Sequence, residues 1–235
     1  MVFSLTVTVS AEEAATTGDM AGEIVILHTN DVHGAIGGYA KVAALKDAYE
    51  ARGAYVLLMD AGDFIQGDPT VSTSQGAVEL MNLAGYDVVS LGNHEFDYGY
   101  DNIKALEKDA DFTIVDANIS YNGRPAFEDH MIFTTPEGTK IGVFGLDTPE
   151  TATKANPTKI KGVTFLAGEE MFDLAQAEVQ LLEDAHCEYI VCLGHLGIDT
   201  ESTGNRSIDL LEKVSGIDVF IDGHSHSTQE DIIKA

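Results

Sequence analysis

Asp31, His33, Asp63, Asn93, His195, His224 and His226 sit in five short polar clusters and offer oxygen and nitrogen donors, with no cysteine among them. Imidazole mixed with carboxylate and amide oxygen suits first-row dications, Zn or Mn first and Fe, Co or Ni after them, and disfavours a soft thiolate site. The donor set is large enough for two ions. If one carboxylate bridges, roughly four protein bonds reach each ion, and a shared hydroxide completes both shells. Paired ions about 3.5–4 Å apart activate water and clamp both oxygens of an in-line displacement at phosphorus. Each cluster taken alone has a plainer reading. An isolated Asp-x-His arises by chance, and Gly223-His224-Ser225-His226 could be a turn with two solvated imidazoles. Five clusters in an ordered series point to a dimetal centre.

The elements that must position these residues follow from the apolar pattern. Strands are expected at Ile24 to Thr29, Tyr55 to Met59, Asp87 to Ser90 and Phe112 to Val115, with helix-period stretches between them at Tyr39 to Arg52, Val71 to Ala84 and Tyr100 to Lys108. Gly53 and Gly85 stand where the first two helices should stop. Met131 to Thr135 and Lys140 to Phe144, around Pro136-Glu137-Gly138-Thr139, form an expected hairpin. A helix at Gly168 to Ala185, a strand at Tyr189 to Leu193, a helix at Ser207 to Val214 and a strand at Asp218 to Ile221 complete the pattern. The polar clusters all follow strands. Open α/β sheets bind ligands outside the carboxyl ends of their strands, so loops far apart in sequence can meet at one place. His28, His130 and His186 lie outside any such cluster and read as packed or exposed histidines.

Composition narrows the function. Across 235 residues, 44% hydrophobic and 22% charged, the chain can bury a substantial core, which excludes disorder and fibrous repeats. Thirteen Lys and Arg against 39 Asp and Glu leave a formal charge of −26, hostile to nucleic-acid polymers and anionic membranes. Two dications would still leave the centre locally positive against Asp31 and Asp63, because distant carboxylates are screened beyond about 8 Å. Cys187 and Cys192 cannot build a disulfide framework. Met1 to Val9 followed by Ser10-Ala11 reads as the end of a secretory signal, so residues 1–22 are expected to be leader and 23–235 the catalytic domain of an extracytoplasmic protein. No run approaches the length of a transmembrane helix.

Thr29-Asn30-Asp31-Val32-His33-Gly34, Asp60-Ala61-Gly62-Asp63, Gly92-Asn93-His94-Glu95-Phe96-Asp97-Tyr98-Gly99, Gly194-His195-Leu196-Gly197 and Gly223-His224-Ser225-His226 together resemble the calcineurin-like metallophosphoesterases. The phrases at Gly37-Gly38, Asp116-Ala117-Asn118 and Gly145 to Glu150 are similar to those of bacterial 5′-nucleotidases and 2′,3′-cyclic-nucleotide phosphodiesterases. The resemblance implies a layered αββα sandwich with mixed sheets. It implies one ion on Asp31, His33, Asp63 and His226, and a second on Asp63, Asn93, His195 and His224, with Asp63 bridging. It also implies a catalytic dyad, His94 approaching the phosphate and Asp97 orienting it. Read without the resemblance, Asp97 could instead cap the helix near Tyr100.

The implied activity is hydrolysis of phosphate esters by a dimetal-activated hydroxide, with nucleoside 5′-monophosphates or 2′,3′-cyclic nucleotides as small-molecule substrates. A sulfur-compound hydrolase of the thiosulfohydrolase type is an enzymatic alternative on the same scaffold, although the phrase Asn93 to Asp97 fits nucleotidases better. A non-catalytic metal-binding adhesion module is the alternative of another class. Similar nucleotidases continue into more sandwich and a separate C-terminal domain that holds the base. Only nine residues follow His226, so the chain is expected to be a C-terminally truncated piece that lacks this substrate-binding domain.

Overall fold

A computed structural model describes residues 18–66 and 76–227. The signal-like segment 1–17 and the first turn of the helix expected at Val71 lie outside the described residues.

The first half alternates strand and helix as its pattern requires. β1 (Ile24–Thr29), β2 (Tyr55–Ala61), β3 (Val88–Ser90) and β4 (Thr113–Ile114) pair in sequence order, all parallel. Between them run α1 (Tyr39–Glu50), α2 (Gly76–Ala84) and α3 (Tyr100–Asp109). Parallel crossovers are right-handed, so a sheet that grows in one direction puts every connecting helix on one face. Tyr39 of α1, Met81 of α2 and Ile103 of α3 accordingly share one core cluster with Leu58 of β2. The opposite face remains for a second sheet.

That sheet has the order β11-β10-β8-β7. β8 (Lys140–Asp147), β10 (Tyr189–His195) and β11 (Val219–Asp222) are parallel, and β7 (His130–Thr134) closes the edge antiparallel to β8 through the expected hairpin. Its outer face carries α5 (Gly168–Asp184), whose Met171, Phe172, Ala175, Val179 and Leu182 are buried at helical spacing, and α6 (Ser207–Leu211), through Leu210. The strands are apolar on both faces because both faces are covered. Leu57 and Met59 of β2 meet Val191 and Leu193 of β10 between the sheets, while Ile190 and Cys192 turn outward to the α5 side. The result is the layered αββα sandwich.

The first large sheet is wholly parallel, as successive βαβ units require, and the hairpin makes the second one mixed. Two details differ from the sequence expectation. A third, antiparallel sheet of β5 (Ile119–Tyr121), β6 (Arg124–Pro125) and β9 (Val163–Phe165) appears in stretches too short to show a period, as does the one-turn helix α4 (Thr151–Lys154). The helix expected to reach Val214 ends at Leu211, though Val214 remains buried. Cys187 and Cys192 are both free thiols. No helix among the described residues is long and apolar enough to cross a membrane.

Candidate metal centre

All seven parallel strands of the two large sheets end on the same side of the sandwich, so their following loops gather there. The loops are laced together by backbone. Asp31 N–H donates to the Gly62 carbonyl (2.9 Å) and His33 N–H to the Asp63 carbonyl (2.8 Å), and His224 N–H donates to Asp31 Oδ1 (3.1 Å) across 193 residues of sequence. Two glycines make room. Gly62 has φ +90, and a Cβ on it would lie 2.8 Å from His195 Nδ1; a Cβ on Gly92 would collide with Asp63 Oδ1 and lie 2.7 Å from His195 Nε2. Asp31, His33, Asp63, His224 and His226 all adopt positive φ, between 47° and 75°. Such backbone costs about 1–3 kcal/mol per residue and persists where the surrounding structure imposes it.

The side chains converge. Asp63 Oδ2 lies 3.0 Å from His195 Nε2 and 4.0 Å from His33 Nε2, so one carboxylate oxygen stands between the two expected donor groups. Asp31 Oδ1 lies 3.9 Å from both His33 and His195 and 3.4 Å from His226, whose Nε2 is 3.0 Å from that of His33. Ligand bonds of about 2.0–2.2 Å, at the angles of a tetrahedral or octahedral shell, separate donors by about 3–3.5 Å. The observed spacings are close to this. Asn93 Oδ1 is buried with no hydrogen-bond partner, an oxygen left for a cation. His195 is fully buried, and its Nδ1 donates to the Ala61 carbonyl (2.7 Å), so Nε2, which faces Asp63, is the ring atom where a proton or a metal ion can sit. Burial alone would lower the His195 pKa, but the charges of Asp63, Asp147 and Asp31 raise it to about 10. Burial raises and His195 lowers the pKa of Asp63, which settles at about 2. A field that holds a proton on His195 against burial also favours a metal cation. The residues therefore fit a pair of divalent ions.

His224 is placed differently from the rest. Its Nε2 faces Glu150 Oε2 at 3.0 Å, which leaves Nδ1 as the ring's lone pair. His94 and Asp97 stand together on a short 3-10 helix (Asn93–Asp97), with His94 Nδ1 2.7 Å from Asp97 Oδ2. Gly99, not Asp97, is the N-cap residue of α3, so the capping alternative for Asp97 does not hold. A cleft of about 200 Å³ is lined by Asp63, Asn93, His94, Asp97, Lys154, His224 and His226. Its floor is buried and its rim open: Asp63 is 1% exposed, whereas the His226 side chain is 59% exposed.

Several contributors were not read from the sequence. Glu95 is fully buried and its carboxylate accepts the N–H groups of Asp63 (2.8 Å), Ile65 (3.0 Å) and Gly92 (2.7 Å), tying the second loop to the third. Burial and the nearby Asp63 charge push its pKa well above the usual range, against these three donors. Asp116 accepts the Leu91 N–H (2.7 Å), and Asp147 accepts the Thr151 hydroxyl (2.9 Å), both beneath the same loops. Lys154 is the only Lys or Arg on the cleft wall among the described residues. Glu95 stands three residues after Gly92, and a Glu at that spacing from a helix start is a capping signal that could have found it. Of the three histidines set aside, His130 pairs with the buried Glu178 (2.6 Å), His186 follows the end of α5, and His28 lies exposed on β1.

Two stacked sheets with helices outside, and carboxylates and imidazoles gathered at the strand ends, define a class of hydrolytic metalloenzyme. The family model for calcineurin-like phosphoesterases matches residues 24–228, and the chain belongs to this family of divalent-metal enzymes. The 5′-nucleotidase of Bos taurus is 32% identical over 231 residues, covering 87% of this chain and 38% of the relative. The crystal structure of a 5′-nucleotidase precursor from Thermus thermophilus superposes with a TM-score of 0.72 at 30% identity, covering 86% of this chain and 41% of that one. The chain thus spans about two fifths of the length of these relatives. The sulfate thiohydrolase SoxB of Thermus thermophilus, at 23% identity and a TM-score of 0.71 over 82% of this chain and 34% of that one, shares the fold.

Proposed function

We propose that residues 23–235 are the catalytic domain of a dinuclear metallophosphoesterase acting outside the cytoplasm on nucleoside 5′-monophosphates or 2′,3′-cyclic nucleotides. The observation that carries this reading is the placement of Asp63 Oδ2 between His33 and His195, in a cleft that also holds His94 paired to Asp97. Asp31, His33, Asp63 and His226 would hold one ion, and Asp63, Asn93, His195 and His224 the second. When bound, the pair would lower the pKa of water and neutralise phosphoryl oxygens.

The chain's own residues supply the remainder. Asp97 fixes His94 through Nδ1, so Nε2 is the atom available to an oxygen of the substrate. As a cation it would stabilise charge on the departing oxygen or give it a proton, a contribution of about 10²–10⁴ in rate. Lys154 adds a second positive group on the cleft wall, where an anion arrives. Glu95 holds the loop of Asp63 against that of His94, whose N–H donates to Asp63 Oδ1 (2.9 Å). The relatives' names support nucleotides as the ester, and the Met1 to Ala11 pattern supports secretion.

Phosphate release from adenosine 5′-monophosphate, 2′,3′-cyclic adenosine monophosphate and p-nitrophenyl phosphate, with Mn²⁺ or Zn²⁺ and with a chelator, tests the proposal. Metal-dependent release is expected. Absence of release from every phosphate ester by metal-loaded protein would favour the binding-module alternative.

A further inference from the structure

The loop after β8 and the one-turn helix α4 place Glu150 where the family motifs assign no role. Its two carboxylate oxygens have separate partners. Oε2 lies 3.0 Å from His224 Nε2 and 2.5 Å from Lys154 Nζ, and Oε1 accepts the hydroxyl of Ser202 at 2.7 Å. Ser202 is itself buried, at 4% exposure, on the short 3-10 turn after β10. Three loops, following β8, β10 and β11, are therefore joined through one carboxylate. The Glu150 side chain is 19% exposed and that of His224 8%, so water competes weakly for this contact.

A neutral imidazole has one N–H and one lone pair, and a hydrogen bond at one nitrogen decides which atom remains to ligate. Carboxylates in this position fix the ring's orientation and make the free nitrogen a better donor, and removing them costs about 10–100-fold in metal affinity. His224 has positive φ (75°), so its backbone is held by the fold, and its ring needs a separate constraint. Lys154 cannot serve, because its ammonium, 3.5 Å from His224 Nε2, has no acceptor to offer an N–H.

We infer that Glu150 is the positioning residue of His224: its carboxylate, braced by Ser202, accepts the Nε2–H and thereby commits Nδ1 to a divalent cation. The inference rests on the ligand set proposed above. It predicts an effect confined to the second ion, since the Glu150 carboxylate is engaged by His224, Lys154 and Ser202 rather than by Asp31, His33 or His226.

The test is Zn²⁺ binding by competition with a chelator, combined with proton NMR of the histidine ring N–H groups. In the wild-type protein one ring N–H, assigned by its loss in His224→Ala, should be downfield and slow to exchange. Glu150→Ala should abolish that resonance and weaken one of two Zn²⁺ sites by about 10–100-fold. Glu150→Gln, whose amide oxygen can still accept the N–H, should keep the resonance and lose less affinity, and Lys154→Ala should keep both. Circular dichroism and thermal melting establish that each variant is folded. Wild-type Zn²⁺ affinity and an unchanged ring N–H in folded Glu150→Ala would overturn the inference while leaving the phosphoesterase reading intact. The expected binding and NMR changes in a protein that hydrolyses no phosphate ester would overturn that reading and leave the role of Glu150 standing.

Discussion

Replacing Asp63 by alanine should empty both metal sites. Its Oδ2 is the oxygen that faces both His195, at 3.0 Å, and His33, at 4.0 Å, so its loss removes one donor from each ion. Structural zinc sites of four ligands bind with about 10–16 kcal/mol, which allots about 2.5–4 kcal/mol to one ligand. That is about 10²–10³-fold in Kd at each site. The fold should survive, because the Asp63 backbone N–H remains on Glu95; the losses are the acceptor for the His94 N–H and the charge beside His195. Elemental analysis after gel filtration, with chelator competition for the two constants, measures the effect: two ions per chain in the wild type, none retained in Asp63→Ala, and one chiefly lost in Asn93→Ala. Two ions retained by Asp63→Ala with affinities within tenfold of wild type would refute the bridge. Asp31 Oδ1, equidistant from His33 and His195, would then be the bridging atom, and Asp31→Ala would show the double loss.

His94→Ala should keep both ions and lose about 10²–10⁴ in kcat, with Asp97→Asn losing less; metal analysis beside steady-state kinetics checks both, and a fall in occupancy would make His94 a ligand. Glu95→Ala strands three buried N–H groups at about 1–3 kcal/mol each, so denaturant unfolding should show a loss of about 3 kcal/mol or more, with Glu95→Gln recovering part. Asp60 is fully buried, and burial raises its pKa from 3.8 to about 8 although the Thr29 hydroxyl and the Gly62 N–H lower it. The folded state holds this proton more tightly than the unfolded chain, so the associated penalty is absent below about pH 4, grows as pH rises and levels off near pH 8. Asp60→Asn removes the titration. Its stability relative to wild type, followed by urea unfolding of metal-free protein, should therefore rise between pH 4 and 8, and a pH-independent difference would contradict the assignment.

The strands and long helices were legible because both faces of a covered strand must be apolar and one face of a covering helix must be, and these are local patterns. Ile24–Thr29 shows the expected bounds, and α5 ends within a residue of its expected limit. The candidate donors could be picked out for a related reason: polar residues beside glycine at strand ends have little packing role, and their types suit a metal. What the sequence could not show is how residues far apart meet. His195 Nδ1 finds the Ala61 carbonyl 134 residues away, which decides the nitrogen left for Asp63. Glu95, Asp116, Asp147 and Glu150 fall within the family-like phrases but have no role assigned there, and only burial against backbone N–H groups, hydroxyls or His224 shows what they do. The five positive-φ donors make the same point. Residue type is written locally, whereas conformation, tautomer and burial at the centre are imposed by the packing of two sheets on one another.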